Sequence, residues 1–489
     1  MDNNSIAKQL STSKEDILFV EAPAGCGKTY TIAQAIACAA NGRHLVLTHT
    51  NAGVASIRRK MRDLKVSRAL FSIDTIDGFS QKLAVSYPTT SNFVEDMEWY
   101  QKRNSALKVI AEPFAKKLLA NSFASIYIDE YQDCSLLQHQ LILSLSNCIP
   151  CRLFGDPLQG IFDFDKKDPA IDWDTDVSTK IKKFATLDTP WRWETGGGSP
   201  ELGRWLTSIR ENLINGLPIT IPETVNIAWR ELSEPNKIYS CKSKLDQIGS
   251  IVAIERGLPL GKDHMLAKKL KGTYHSIEEM EGKDLLEFAR KLQQTQGYES
   301  ATAIIDFAQD CLIGTSRLFG IIKSKIANQK EISTTSKLPG AVQLADTIRT
   351  MIQSSSIIDK AIVLKAIENL PNISIARKEL WLECKKMLAL YLENNSDDLV
   401  VVAKKVREQT RIIGRFPEYR LISRVLLVKG LEFDHGIVLD ADNLTSKELY
   451  VALTRGKRSL VVLSKDRTIA PKASKNTKKI TAKRQPALL

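Results

Sequence analysis

The stretch that most constrains this chain is Ala22-Pro23-Ala24-Gly25-Cys26-Gly27-Lys28-Thr29. It fits the phosphate-loop pattern G-x-x-x-x-G-K-[ST], with Ala22 in place of the first glycine. Asp16 to Val20 ahead of it reads as a buried strand, and Thr31 to Ala40 behind it as a helix. A small-residue turn between strand and helix lets backbone N–H groups point inward at phosphate oxygens. Lys28 adds a positive charge for the β- and γ-phosphates, and Thr29 offers a hydroxyl to Mg²⁺.

Short apolar segments alternate with helical ones up to about Thr189, which implies a mostly parallel sheet. The strands are His44–Leu47, Ser125–Ile128 and Cys151–Phe154, and Ala52 to Asp63 is a helix carrying Arg58, Arg59, Lys60 and Arg62. After Gly196-Gly197-Gly198, Ser199 is placed as an N-cap and Pro200 as the first helical residue. Gly249 to Ile254 reads as a strand, about Gly261 to Asn395 as helical, and strands return at Gly436–Leu439 and Leu460–Leu463. The second αβ region is therefore split by a helical insertion.

The chain of 489 residues has room for roughly three domains, and its 43% hydrophobic and 26% charged residues are ordinary for a globular protein. The polar start, Met1 to Ser5, is unlike a signal peptide, and no apolar run approaches the ~20 residues of a membrane span, so the expectation is a cytoplasmic protein with no membrane partner. The eight cysteines form no framework, and Cys148-Ile149-Pro150-Cys151 lacks further zinc ligands nearby. A net charge of +13 points to a polyanionic partner, although six of those charges sit in the last residues, from Pro471 onward, with no acid among them.

Ile128-Asp129-Glu130 ends an apolar strand with two acids. Nucleotide hydrolysis needs one carboxylate to hold Mg²⁺ and another to position or deprotonate water, and Asp129 and Glu130 suit these roles in that order. The wider string, Asp129-Glu130-Tyr131-Gln132-Asp133, resembles the D-E-x-Q-D motif of the UvrD/Rep family of superfamily 1 DNA helicases. The likeness continues along most of the chain. Leu47-Thr48-His49-Thr50-Asn51 resembles the family's T-F-T-N segment, which implies that Thr48, His49 and Asn51 touch single-stranded DNA. Gly155 to Phe164 is similar to G-D-x-x-Q-x-I-Y-x-[FW]-R, making Gln159 a γ-phosphate sensor and Phe162 and Phe164 base-stacking residues, while Asp165 replaces the family arginine.

Asp188-Thr189-Pro190-Trp191-Arg192 aligns with Q-N-Y-R, so Trp191 is expected to stack on adenine and Arg192 to reach the γ-phosphate, with Trp193 in the core. Lys429-Gly430-Leu431-Glu432-Phe433 matches K-G-L-E-F, which puts Glu432 at the ribose, and Leu426 stands where the family has a DNA-contacting histidine. Tyr450 to Gly456 resembles Y-V-x-x-T-R-A, with Arg455 as the arginine finger. Gln9 is placed as the adenine-reading glutamine, and Tyr30 occupies the family's arginine position after the loop threonine.

The resemblance implies an α/β fold of two RecA-like parallel-sheet motor domains. The expected domains are 1–190 for the first motor, 191–290 and 412–468 for the second, 291–411 for the helical insertion, and 469–489 for a basic, disordered tail. The implied cofactors are ATP and Mg²⁺, and the implied partner is DNA with a single-stranded region. The implied activity is a 3′-to-5′ translocase or helicase in repair or antiphage defence, where compact helicase subunits such as that of Gabija work with a nuclease. The alternative is a nucleotide-switched regulatory subunit that binds DNA and controls a partner nuclease without unwinding.

Overall fold

A computed structural model describes residues 2–39, 42–162, 166–195, 197–256, 261–278, 282–333, 339–354, 356–394, 398–413 and 419–473. Packing divides the chain into two units: residues 1–231 with 429–489, and residues 232–428. The α/β expectation holds, with two six-stranded parallel sheets providing the frame of two RecA-like domains.

The first sheet lies wholly in the first unit. Its strands are β1 (Ile17–Glu21), β2 (His44–Thr48), β3 (Phe71–Thr75), β4 (Ser125–Ile128), β5 (Cys151–Gly155) and β6 (Lys183–Thr186), in the spatial order β3-β2-β4-β5-β1-β6. Every pairing in it is parallel. Two of these strands have no counterpart in the sequence reading. The polar residues of β3 interrupt its apolar run, and β6 is a partly exposed edge strand. Both faces of the central strands are covered, as a parallel sheet requires. Leu18, Val20, Val46, Tyr127 and Phe154 enter one core, and Phe19, Leu45, Leu47, Ile126, Ile128 and Leu153 the other. Parallel strands also put all their C-terminal ends on one edge. The loops after β1, β2, β4 and β5 therefore converge, and each carries a motif singled out above.

Three helices frame that edge: α1 (Asn3–Thr12), α2 (Lys28–Cys38) and α3 (Asn51–Asp63). Thr50 caps α3, its hydroxyl accepting from the Gly53 N–H at 3.0 Å. Ser199 and Pro200 open a helix as anticipated, and the Ser199 hydroxyl accepts from the Leu202 N–H at 3.2 Å.

Of the second sheet, Phe433–Val438, Gly456–Ser464 and Ile227–Glu231 run side by side in the first unit. His275–Ser276, Arg420–Arg424 and Ile251–Glu255 do so in the second. The second unit also holds seven helices from Lys283 to Ile413 among the described residues, the region where the sequence reading expects an insertion at 291–411. They share one core running from Leu285 to Val406, in which the Phe288 and Phe307 rings stack at 3.7 Å. Most of the basic tail falls outside the described residues, and among the described ones no helix is long and apolar enough to cross a membrane.

Candidate active site

The phosphate loop leaves β1 and enters α2 through two glycines in the left-handed region, Gly25 at φ 73° and Gly27 at φ 84°. A side chain at either position is doubly excluded. A Cβ on Gly25 would meet the Trp193 ring at 2.5 Å, and one on Gly27 would meet the Asn3 amide at 2.7 Å and Trp191 at 3.2 Å. No side chain caps α2, so its first-turn N–H groups remain available to an anion. The Ala24 N–H donates to the Tyr450 hydroxyl at 3.2 Å.

Facing the loop is the acidic end of β4. The Lys28 amine lies 3.2 Å from Asp129 Oδ1 and contacts Glu130 Oε1. Glu130 adopts φ 58°, a conformation non-glycine residues rarely hold without a compensating network. That network is Gln132. Its amide donates to Glu130 at 2.5 Å, while its oxygen accepts from the Asp156 N–H at 3.0 Å, joining β4 to β5. Burial pulls the Lys28 pKa down, but the Asp129 and Glu130 carboxylates outweigh it and raise the value. Burial also works against the Glu130 charge, yet Lys28 and then Lys429 hold that acid at about 2. Asp129 is raised, by burial first and by the Glu130 charge beside it. The site thus pairs a charged base, still partly open to solvent, with a cation whose amine is buried.

Lys429 draws three motifs together. Its amine donates to Asp133 and to the Gln159 carbonyl, and it lies over the Phe162 ring at 4.7 Å. Burial pushes the Asp133 pKa up to about 7 even against Lys429. The Gln159 amide donates to Asp156 at 2.9 Å. Arg210 bridges Glu21 and Asp156 at 2.7 Å each and sits over the Tyr450 ring at 5.3 Å. It thereby clamps the ends of β1 and β5, on either side of the loop.

The later motifs reach the same loop within the first unit. The Arg192 N–H donates to the Gly25 carbonyl at 3.1 Å, and its guanidinium donates to Glu432 at 2.6 Å and to the Thr454 carbonyl at 2.9 Å. Arg192 holds the Glu432 carboxyl below its ordinary range. Arg455 is fully buried and donates to the Val451 and Leu431 carbonyls and the Thr454 hydroxyl. Burial, with Arg192 nearby, lowers its pKa to about 10. Trp193 is a wedge between the loop and the strand after Arg455. Its ring fills the space above Gly25 and Gly203, its backbone leaves no room at Gly198, and its indole N–H donates to the Gly456 carbonyl at 3.0 Å. Trp191 stays 41% exposed beside Gly27, leaving a face free to stack.

The remaining expected residues are less uniformly placed. Thr48 is buried at the end of β2, and Asn51 is exposed at the start of α3. His49 is half-buried, with Nε2 3.7 Å from Cys134 Sγ, and burial lowers its pKa to about 4, so it is neutral at physiological pH. Phe162 is half-buried, and Phe164 and Asp165 lie outside the described residues. Gln9 is exposed on α1, whereas Asn3 touches the loop by donating to the Cys26 carbonyl at 2.9 Å. Tyr30 donates to Asn4 at 3.0 Å. Five participants carried no assigned role in the sequence reading: Asn3, Gln132, Arg210, Lys429 and Tyr450. Three of them sit inside quoted motifs, but an arginine opening a short helix, as Arg210 does, looks like any solvated one.

Residues 5–165 match the AAA domain family. One curated relative, an ATP-dependent helicase/nuclease component from Leuconostoc mesenteroides, is 28% identical over 117 residues. That match covers 24% of this chain and only 9% of the relative. Among solved structures, the Arterivirus nonstructural protein 10 helicase in complex with DNA overlaps at 12% identity and TM-score 0.28, covering 52% of this chain and 51% of that one. The Pif1 helicase from Bacteroides with ADP-AlF3 and ssDNA overlaps at 16% identity and TM-score 0.27, covering 51% and 57%. Overlaps this partial carry no weight for substrate or mechanism, and the functional reading rests on the residues of the site.

The residues matched by that family model include donors for the nucleotide and metal that the match implies. The glycine cradle and uncapped α2 suit a triphosphate, and Thr29, next to Lys28, with Asp129 gives two oxygen ligands. Mg²⁺ takes few protein ligands and completes its octahedron with phosphate oxygens and water.

Proposed function

We propose that the chain is an ATP-driven DNA translocase of the UvrD type, with ATP hydrolysis stimulated by single-stranded DNA. The observation that carries this reading is the clasp of Lys28 by Asp129 and Glu130 at the end of a buried parallel strand. When ATP binds, Lys28 exchanges those carboxylates for the β- and γ-phosphates, and the first amides of α2 receive the same oxygens. Glu130, freed from Lys28 and still held by Gln132, orients a water on the γ-phosphorus and takes its proton. Mg²⁺ held by Thr29 and Asp129 would neutralise charge on the phosphates. Gln159 senses the γ-phosphate, and Arg192 and Arg455 stabilise charge on the transferring phosphoryl group. Trp191 takes the adenine face and Glu432 the ribose, while Thr48, His49, Asn51, Phe162 and Phe164 contact the DNA. Translocation is 3′ to 5′, in DNA repair or antiphage defence in the cytoplasm.

The test is ATP hydrolysis by the purified chain with and without an oligothymidylate. Many-fold stimulation is expected, and equal rates would remove the motor reading. A second reading, a nucleotide-switched subunit that controls a partner nuclease, is favoured by one observation. Leu426, exposed at 46%, offers DNA no polar contact where a histidine is expected. Strand displacement by the chain alone would eliminate it.

A further inference from the structure

The charge of this protein is concentrated in two places. Between Arg58 and Arg68 the chain carries Arg58, Arg59, Lys60, Arg62, Lys65 and Arg68 against the single acid Asp63. With the basic tail, this eleven-residue segment accounts for eleven of the thirteen net charges, so the rest of the chain is nearly neutral. The segment is the outer face of α3 and the turn that follows. Val54, Ile57 and Met61 bury the inner face, and Arg58, Arg59, Arg62, Lys65 and Arg68 are exposed. Among the described residues its only ion pair is Lys60 with Asp63, long at 3.8 Å and largely solvated. Arg58 and Arg62 stand one turn apart, with Arg59 beside them, so the cations form a stripe along the axis. Self-repulsion along such a stripe lacks compensation within the unit, which is the signature of a surface built to meet a polyanion.

The helix that carries the stripe starts where the site ends. Asn51 opens α3 directly after Thr48, His49 and Thr50 at the C-terminal edge of the first sheet. From Asn51 to Arg62 the helix rises about 16 Å at ~1.5 Å per residue, which spans about three to five phosphates at ~3.4 Å or more per nucleotide. We propose that Arg58, Arg59, Arg62 and Lys65 form a backbone track for a single DNA strand, continuing its path from the end of β2 along α3. The track reads no sequence, because arginines on a convex helix face meet phosphates rather than base edges. It sets the salt dependence of binding and retains the strand through the nucleotide cycle. This assignment rests on the DNA-motor reading.

The experiment compares the full-length chain with three variants, using anisotropy of a labelled 30-mer oligothymidylate from 50 to 300 mM salt. The first variant replaces Arg58, Arg59, Arg62 and Lys65 by Gln. The second replaces the three arginines by Lys. The third replaces Lys8, Lys14, Lys108 and Lys117, exposed cations elsewhere on the unit, by Gln. Each phosphate contact contributes about 0.7 to the slope of log affinity against log salt for a single strand. The glutamine stripe variant should therefore lose about 2–3 from that slope while keeping wild-type affinity for a fluorescent ATP analogue. The lysine variant and the third variant should keep the slope. An unchanged slope in the stripe variant, or an equal loss in the third, overturns the track while leaving the motor intact, and an unchanged slope would make the stripe a surface for an acidic protein. A stripe effect on oligouridylate alone overturns the DNA assignment. Absence of wild-type DNA binding at every salt concentration overturns both readings together.

Discussion

Each unit buries cations among carboxylates, but the two do so in opposite ways. In the second unit Arg377 is met by Glu278, Asp284 and Asp310, and Arg407 by Glu379 and Glu383. These groups lie on helices and adjoining turns, where Gly282 at φ 63° also leaves no room for a side chain against Arg407, and the arginine charges are matched by several acids at once. In the first unit Lys28 meets two acids, one raised and one depressed in pKa, beside a residue at positive φ and two glycines that tolerate no side chain. The helical hubs are closed and serve the fold. The loop site has an amine whose hydrogen-bonding geometry to its acids is poor, as expected of a group waiting for another anion. What sets the loop site apart is a non-glycine acid, Glu130, held at positive φ beside a phosphate-loop turn.

The sharpest way to break this contrast is Glu130→Gln. It should lower ATP turnover on the order of 10²–10⁴-fold with ATP binding kept and the thermal midpoint only modestly lowered, since the favourable pairing of the carboxylate with Lys28 is lost. A fall in stability matching the loss of turnover would make Glu130 a structural acid like those of the second unit. Next comes Arg377→Ala, which leaves Glu278 buried without its cation and should cost about 3–5 kcal/mol. Urea unfolding followed by the helical circular-dichroism signal reads it, and ATP affinity measured under folded conditions should not move. A smaller effect is expected from Trp193→Phe, which keeps the wedge and deletes the bond to the Gly456 carbonyl. A loss of about 1 kcal/mol, with a raised KM for ATP, would show that the wedge holds the loop in place; a change in stability alone would make it core.

The smallest effect is in pH. Burial lowers the His49 imidazole to about 4, from an ordinary value near 6.5. Between those values the unfolded chain binds a proton that the folded one refuses, so stability falls as pH drops from about 6.5 to about 4. Asp133, raised to about 7, tilts the other way, but it is present in wild type and variant alike. His49→Gln should therefore flatten the acid limb of the stability profile across that window. An unchanged profile would place the imidazole in solvent.

Much of the first unit was legible from the chain alone. The loop, the acidic strand end and the Gly155-Asp156-Pro157-Leu158-Gln159 turn were readable because each chemistry demands its residues at fixed local spacing. Most strands showed as short apolar runs, whereas β6 did not, because an edge strand carries half the apolar residues. Trp193 read as core, and burial agrees, but its contact with Gly25 depends on a fold-back across about 170 residues of chain. Arg210 gave no local signal at all.

The sequence by itself offered the groups proposed to hold a triphosphate: Lys28, Thr29, Asp129, Glu130 and Gln159, each tied to a strand end by a few residues of loop. Only the tertiary structure decided how those groups are held before anything binds. Lys28 rests on the acids, Gln132 fastens Glu130 to β5, and Arg210 and Lys429 tie the strand ends together. Local spacing fixes what a short loop can present. Long-range ion pairs depend on strand order, and a parallel sheet ordered 3-2-4-5-1-6 brings together ends that the sequence keeps far apart.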